Sequence, residues 1–476
     1  MLGIEQVLRA TNGNAAFKGE AFFSGVSIDS RAIKEGELFV ALKGKRFDGH
    51  DFLFDALKLG RGAVISRLPI GTDNSLFQGK TIIIVNDTLQ ALHDMAMDIR
   101  RGFKGNVIGV VGSNGKTTTK EIIFSILSTR LNVLKTRDNL NNQIGMPLSI
   151  INGFFNQLGY AVPDVMVLEM GANRPNDIND LCRIAMPDIG VVTNIGYEHI
   201  EGFGSLHDVR ESELEILSYI KRLVANADDR FLMEGVIGRF NGDVVSFGIE
   251  RDDLDFRAMN IVFSEKGTNF TLCTRKDCIN VNSSLVGRFN VYNCTAASAL
   301  AYSLGFKLEE IKKGIEMFSG VKMRFEVKKC GEAIFLNDVY NANPSSMQES
   351  LNELIRLLTN GGISRHRRAI AVLGDMLELG DFGIYAHKEL GRMMSNLPID
   401  VFIGVGDLMS FAVSEFSGKG IHVNTSDDAG CELKKIIGDK DIVLIKGSRG
   451  MKMERVLSVM EENSDKQCCL FKASGA

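Results

Sequence analysis

Apolar and polar positions along the chain fall into three successive patterns. Residues 1–102 carry short β-branched runs, "SGVSID", "GELFVAL", "GAVIS" and "TIIIV", and two helix-like stretches, one of which, "TLQALHDMAMDIRRGF", closes the segment. From 103 to 322, strands alternate with helices. "NVIGVVG" reads as a strand buried on both faces, and "KTTTKEIIFSILSTRL" repeats Ile122, Ile123, Ile126 and Leu127 at helical spacing. "VMVLEMGA" and "IGVVTNIG" are again apolar runs that end in polar residues. A more polar β-like stretch, "DLDFRAMNIVFSEKGTNFTLCT", precedes a helix beginning near Asn290. Residues 323–476 alternate once more, with strands predicted at "AIFLNDV", "AIAVLGDM", "VFIGVG" and "DIVLIKGS". Asn343 can cap the helix "NPSSMQESLNELIRLL", and Pro344 suits its first position. These patterns predict an α/β chain with a doubly wound central sheet, a ligand at the carboxyl ends of its strands, and a Rossmann-like third segment. The last residues, "SDKQCCLFKASGA", show no period and are expected to be loose.

The bulk properties narrow the class. A chain of 476 residues exceeds one hydrophobic core, which agrees with several domains. A net charge of −4 argues against a general basic surface for nucleic acid, yet leaves room for a local phosphate pocket. Eight scattered cysteines with no CxxC pair predict reduced thiols in a cytoplasm. The start "MLGIEQVLRATNGN" lacks a basic segment followed by an apolar core, so no export signal is expected. No apolar stretch approaches the roughly 18 residues that span a bilayer.

The chemistry begins at "GVVGSNGKTTTKE". Gly112 and Gly115 let the backbone curl, so that the N–H groups of Ser113, Asn114 and their neighbours can point at an anion. The helix that follows adds its positive end. Lys116 can reach terminal phosphates, and the Thr117 hydroxyl, with Thr118 beside it, can ligate Mg²⁺. The usual first glycine of such a loop falls on Val110, so this is a shorter variant. The pattern predicts a P-loop ATPase-type central domain that binds a nucleoside triphosphate. It does not by itself separate kinase, switch, motor and ligase. Glu169 ends one strand, Thr193 and Asn194 end another, and His199 follows five residues later, all in the same predicted crevice.

Seven stretches in order resemble the Mur ligase family: "GSNGKTTTKE", "NLNNQIGMPLS", "EMGANRPNDI", "TNIGYEHIEGFGS", "GRFNVYNCTAASALA", "NDVYNANPSSM" and "VLGDMLELG". "SIDSRAIKEGELFVALKGKRFDGHDF" resembles that family's nucleotide-sugar domain. The resemblance implies three domains, over 1–102, 103–322 and 323–476. They would bind the UDP-sugar substrate, bind ATP, and close on ATP with the incoming amino compound. It implies transfer of the ATP γ-phosphoryl to a carboxylate, then attack of an amine on the acyl phosphate. "YNANP" and "LGDMLELG" favour a UDP-N-acetylmuramoyl-tripeptide and D-alanyl-D-alanine as the two substrates. A monomer is expected.

Carried over residue by residue, the resemblance gives Lys116 the β- and γ-phosphates, and Thr117, Glu169 and His199 the Mg²⁺ ions. It gives Asn290, Asn293, Arg324 and Asp338 contacts to ATP, and Ser30 and Arg31 contacts to the uridine diphosphate. Asn139, Asn141 and Asn142 would shape the substrate side. Plainer readings stand beside these: a helix cap for Asn290, turn chemistry for Asp338 and Asn142, a surface ion pair for Arg324. Two positions depart from the family pattern. Where relatives carry a lysine that carbon dioxide converts to a metal-binding carbamate, this chain has Glu213, expected to supply that negative charge as an Mg²⁺ ligand, directly or through water, or to be a solvated carboxylate. Phe289 stands where relatives often carry histidine. The rival readings are a sibling ligase adding the third amino acid, folylpolyglutamate synthase, a nucleotide-dependent switch, and a catalytically dead relative.

Overall fold

The computed structural model describes residues 1–69, 74–155, 162–360 and 367–461. The terminal stretch expected to be loose lies outside the described residues. Three principal sheets, within residues 14–84, 106–283 and 326–446, each carry helices that cover apolar strand faces.

The first sheet has five strands in the order Asn14–Phe17, Thr81–Ile84, Gly62–Ile65, Leu38–Val40 and Val26–Ser27. All neighbouring pairs are parallel except the first. The edge strand Val26–Ser27 does not stay open. Asn152 of the next domain accepts from the Val26 N–H at 2.7 Å and donates to the Val26 carbonyl at 2.8 Å, imitating a ladder partner. Arg100 likewise reaches across to the carbonyls of Ala185 and Met186 and to Asp188.

The central sheet has nine strands. Asn106–Val111 lies between Val165–Glu169 and Ile189–Val192, parallel to both. The chain leaves it toward one edge and returns later on its other side, so a crevice opens at its carboxyl end. The loop at Gly112 fills that position. Ile122, Ile123, Ile126 and Leu127 of the helix Lys116–Leu127 are buried on one core as their spacing predicts. The polar β-like stretch forms the antiparallel strands Phe256–Ser264 and Gly267–Thr274, followed by Cys278–Ser283. The expectation of reduced thiols is corrected here. Cys273 and Cys278 are disulfide-bonded, because the hairpin register sets them directly opposite with Cα atoms 4.1 Å apart. A search for CxxC spacing overlooks a pair that only a hairpin brings together. Cys182, Cys294 and Cys431 are free.

The third sheet has six strands, five of them parallel. All four strands expected from its apolar runs are present. The antiparallel Glu326–Cys330 and the exposed edge Lys419–Val423 were not marked by apolar runs, since one mixes in charge and the other faces solvent. The helix Pro344–Asn360 starts as predicted, with the Ser346 N–H donating to Asn343 Oδ1 at 2.8 Å. Among the described residues no helix is long and apolar enough to cross a membrane.

One buried histidine holds the loop after Ala369–Gly374. The His387 Nδ1 faces the Gly383 carbonyl at 2.7 Å, and its Nε2 accepts from the Met376 N–H at 3.0 Å. That pattern fits the neutral ring, and burial lowers its pKa against the pull of Asp375. A depressed histidine contributes stability that is complete above the unfolded pKa of about 6.5 and is lost as pH falls below it. We therefore predict that thermal denaturation shows a fall in Tm between pH 7 and 5.5, part of which is missing in His387→Phe. The same variant should be less stable at pH 7.5 by about 1–3 kcal/mol, because the Met376 N–H is left without a partner.

Candidate active site

A cleft of about 460 Å³ lies between the central and third sheets. Its floor is residues 113–118, the loop and the first turn of the helix Lys116–Leu127. Gly112 and Gly115 have φ of 117 and 82, in the left-handed region that favours glycine. A Cβ on Gly112 would overlap Thr193 Oγ1, and one on Gly115 would overlap Asn293 Oδ1. The two glycines are therefore required by close neighbours as well as by the turn. The loop is pinned from the next strand end: the Asn114 N–H donates to Asn194 Oδ1 at 3.1 Å, and Thr193 Oγ1 donates to the Asn114 carbonyl at 2.6 Å. Ser113 Oγ bonds the Gly196 backbone at 3.0 and 2.8 Å.

Lys116 Nζ lies 2.5 Å from the Gly112 carbonyl and 3.2 Å from Glu198 Oε2. Burial opposes its charge, but Glu198, Glu213 and Glu169 outweigh burial and leave its pKa above the ordinary value. Burial pushes Glu198 up to about 8, against the attraction of Lys116. Glu213 is also raised by burial. It is fully buried, its Oε2 accepts from the Gly112 N–H at 2.7 Å, and it is not part of the cleft wall. The structure thus sets Glu213 behind the loop as a buried hydrogen-bonded group, and not as a solvated carboxylate.

Thr117 Oγ1 donates to Glu169 Oε1 at 3.0 Å, which sets a hydroxyl beside a carboxylate, both hard oxygen ligands. Glu169 Oε2 is buried with no hydrogen bond, although the Lys120 ammonium is 3.3 Å away. The pair therefore fits a magnesium ion. Among the described residues no three His, Cys, Asp or Glu side chains form a metal cage alone. Magnesium in nucleotide sites needs none, because substrate phosphates complete its shell.

The third domain reaches into the same cleft. The Arg324 Nη2 donates to Thr117 Oγ1 at 2.9 Å, and its guanidinium lies 3.9 Å from the Tyr340 ring centre. Arg324 stands between Met323 and Phe325, both in left-handed conformations that non-glycine residues adopt at a cost. Asn343 donates to Asn114 Oδ1 at 3.0 Å. His199 Nδ1 pairs with Glu378 Oε2 at 2.5 Å, and both residues have positive φ. Burial lowers the His199 pKa, with Glu378 acting against it. Tyr197 and Phe382 stack across the domains with ring centres 5.5 Å apart.

The remaining predicted residues sort as follows. Asn290 and Asn293 line the cleft, bonded to each other at 3.2 Å, and Thr119 donates to Asn293 Oδ1. Asn290 is inside its helix, donating to the Val286 carbonyl, and so is not the cap. Asp338 lines the cleft and pairs with Lys446 at 2.6 Å. Asn139, Asn141, Asn142 and Thr118 also line it. Asn141 donates to Glu169 Oε1 at 2.9 Å, while Asn142 Oδ1 accepts from the Ile144 and Gly145 N–H groups, which is turn chemistry. Phe289 lines the cleft and packs edge-on to Phe325. Ser30 and Arg31 are not in this cleft; Arg31 is exposed and paired with Asp29 at 2.8 Å. Sequence reasoning missed Glu198, Lys120, Lys446 and Glu378. The first three were hidden by ordinary neighbours, whereas "LGDMLELG" was noticed for resemblance only.

Three family models match: "Mur ligase family, catalytic domain" over residues 23–100, "Mur ligase middle domain" over 110–301, and "Mur ligase, glutamate ligase domain" over 323–449. The chain is 33% identical over 474 residues to a Bacillus subtilis UDP-N-acetylmuramoyl-tripeptide–D-alanyl-D-alanine ligase, covering 97% of this chain and 98% of that one. It is 35% identical to the Escherichia coli protein of the same name, covering 92% and 94%. Among solved structures, MurF from Acinetobacter baumannii superposes with a TM-score of 0.86 at 32% identity, covering 97% of this chain and 99% of that one. MurF from Thermotoga maritima in complex with ADP superposes at 0.79 and 30% identity, covering 91% and 96%.

Gly115→Ala should lower stability by about 1–3 kcal/mol and weaken ADP binding, because it forces both a left-handed alanine and displacement of Asn293. Thermal melts and an ADP titration of the variant check this; an unchanged affinity would remove the loop from the nucleotide site.

Proposed function

We propose, from the premise that the chain belongs to the Mur ligase family, that the cleft between its central and third domains activates a carboxylate with ATP and delivers it to an amine. The chain is an ATP-dependent ligase that joins D-alanyl-D-alanine to UDP-N-acetylmuramoyl-tripeptide, giving the UDP-N-acetylmuramoyl-pentapeptide of peptidoglycan synthesis with ADP and phosphate. A carboxylate and an ammonium form a salt at neutral pH, so the carboxyl oxygen must first accept the γ-phosphoryl group. The amine then attacks the acyl carbon and phosphate leaves with the former carboxyl oxygen. Little covalent work falls to the protein, whose tasks are positioning and charge neutralisation.

The observation that carries this reading is the convergence of Lys116, Thr117 and Glu169 from the central domain with Arg324 from the third. In it Lys116 neutralises the β- and γ-phosphates, with the loop Gly112, Ser113, Asn114, Gly115 and Thr118 around them. Thr117 and Glu169 would hold Mg²⁺, with His199 toward the acyl side. The ion supplies charge neutralisation at the transferring phosphoryl oxygens. Arg324 adds a cation from the third domain, Asn290 and Asn293 border the adenine side, and Asp338 serves the ribose. Glu213 supplies the fixed anion behind Lys116 that relatives obtain by carbamylation. Residues 1–102 hold the UDP-sugar, with Ser30 and Arg31 at the diphosphate and Asn142 toward the central crevice. Residues 103–322 hold ATP, and 323–476 close on it and receive the dipeptide. The enzyme acts in the cytoplasm as a monomer.

Phosphate release should require both UDP-N-acetylmuramoyl-tripeptide and D-alanyl-D-alanine, and Lys116→Ala should lower it by about 10²-fold or more. Release with ATP alone, indifferent to both substrates, would point to a nucleotide switch instead. Because Glu213 needs no carbon dioxide, stripping bicarbonate should leave the rate unchanged, whereas Glu213→Ala should slow it. A Glu213→Ala enzyme turning over like wild type would end that assignment.

A further inference from the structure

Three buried carboxylates act on Lys116, and they are not equivalent. Glu169 is committed to Thr117 and Asn141. Glu213 accepts from the Gly112 N–H with Oε2, leaves its buried Oε1 without a hydrogen bond of its own, and stays behind the loop. Glu198 alone combines three features. It lines the cleft immediately before His199 while only 6% exposed. Its Oε2 pairs with Lys116 at 3.2 Å. Its Oε1 is buried with no hydrogen-bond partner. An unpaired buried carboxylate oxygen is costly, so such a group is retained where a cation arrives during function.

The Lys116 ammonium has only three protons. It already faces the Gly112 carbonyl at 2.5 Å, the Ser113 carbonyl at 3.3 Å and Glu198. Phosphate oxygens at the loop compete with Glu198 for the same protons, and the Ser113 side chain is the loop's remaining donor toward Glu198. Drawing Lys116 onto phosphate leaves Glu198 a buried carboxyl that must take up a proton or a second cation. We propose that Glu198 is a metal-holding residue of this cleft: it gives up Lys116 to the nucleotide and takes a divalent cation beside His199 in exchange. This rests on the ligase reading above and adds to it a carboxylate that faces the cleft, which Glu213 does not. The left-handed backbone of His199, at φ 46, marks the same segment as held in a conformation that folding alone disfavours.

The proposal requires two effects of opposite sign. Removing Glu198 must weaken the divalent cation and strengthen metal-free nucleotide, because Lys116 loses its competitor. The test uses the full chain as wild type, Glu198→Ala, the isosteric Glu198→Gln, and Glu213→Gln. Mn²⁺ affinity is read by electron paramagnetic resonance with a non-hydrolysable ATP analogue present, and ADP affinity by calorimetry in a chelator. In both Glu198 variants we expect Mn²⁺ affinity to fall about tenfold or more and metal-free ADP to bind several-fold tighter. In Glu213→Gln the Mn²⁺ affinity should stay near wild type. Unchanged Mn²⁺ affinity in the Glu198 variants overturns the proposal, as does a parallel loss of both affinities, which would indicate a structural role. Pentapeptide formation by the same wild-type preparation keeps the two readings apart. If product forms and Mn²⁺ binding ignores Glu198, only this assignment fails; if no product forms, the ligase reading fails first.

Discussion

Charge balance around one lysine governs this protein. The Lys116 side chain is only 13% exposed, and an ammonium so withdrawn from water needs anions nearby. The fold supplies Glu198 and Glu213 from the segment after one strand and Glu169 from the end of another. Those carboxylates pay in turn with raised proton affinity for Glu198 and Glu213. The loop between the glycines is shaped by the same need. Gly112 donates its N–H to Glu213 while its carbonyl takes Lys116, so one residue ties the anion behind the loop to the cation in front of it.

The third domain completes the arrangement without contributing to the central sheet. Arg324 reaches Thr117, Asn343 reaches Asn114, and Glu378 reaches His199. Each contact joins a residue of the glycine loop or crevice to a segment that follows a strand of the third sheet or leads into that sheet. The site is thus shared between two bodies, and Met323, Phe325, His199 and Glu378 lie at their junction in left-handed conformations. Strain at such positions is held by the packing on either side, as by His387 under the Met376–Glu378 turn. A reaction that must admit bulky substrates and then exclude water from an acyl phosphate suits a site divided in this way.

Much of the site was legible because its local physics is local in sequence. A buried strand, two glycines, a lysine and threonines, and a helix cannot be arranged in many ways, and Gly112 to Thr119 follow from that alone. Arg324 and Asp338 were reached only through resemblance, since an arginine 207 residues from Thr117 carries no mark of its partner. Glu198 escaped notice because a carboxylate beside a histidine looks like any polar turn. The disulfide escaped because Cys273 and Cys278 meet through hairpin register and not through a recognised spacing.

The sequence by itself determined the alternation of strands and helices, the position of the glycine loop and the start of the helix at Pro344. Each of these is encoded in the periodicity or backbone freedom of neighbouring residues. Only the tertiary structure decided which carboxylate faces the cleft and which lies behind it, and which third-domain side chains touch the loop. Those outcomes depend on the stacking order of strands far apart in the chain, where side-chain direction is set by packing and burial rather than by the residues on either side.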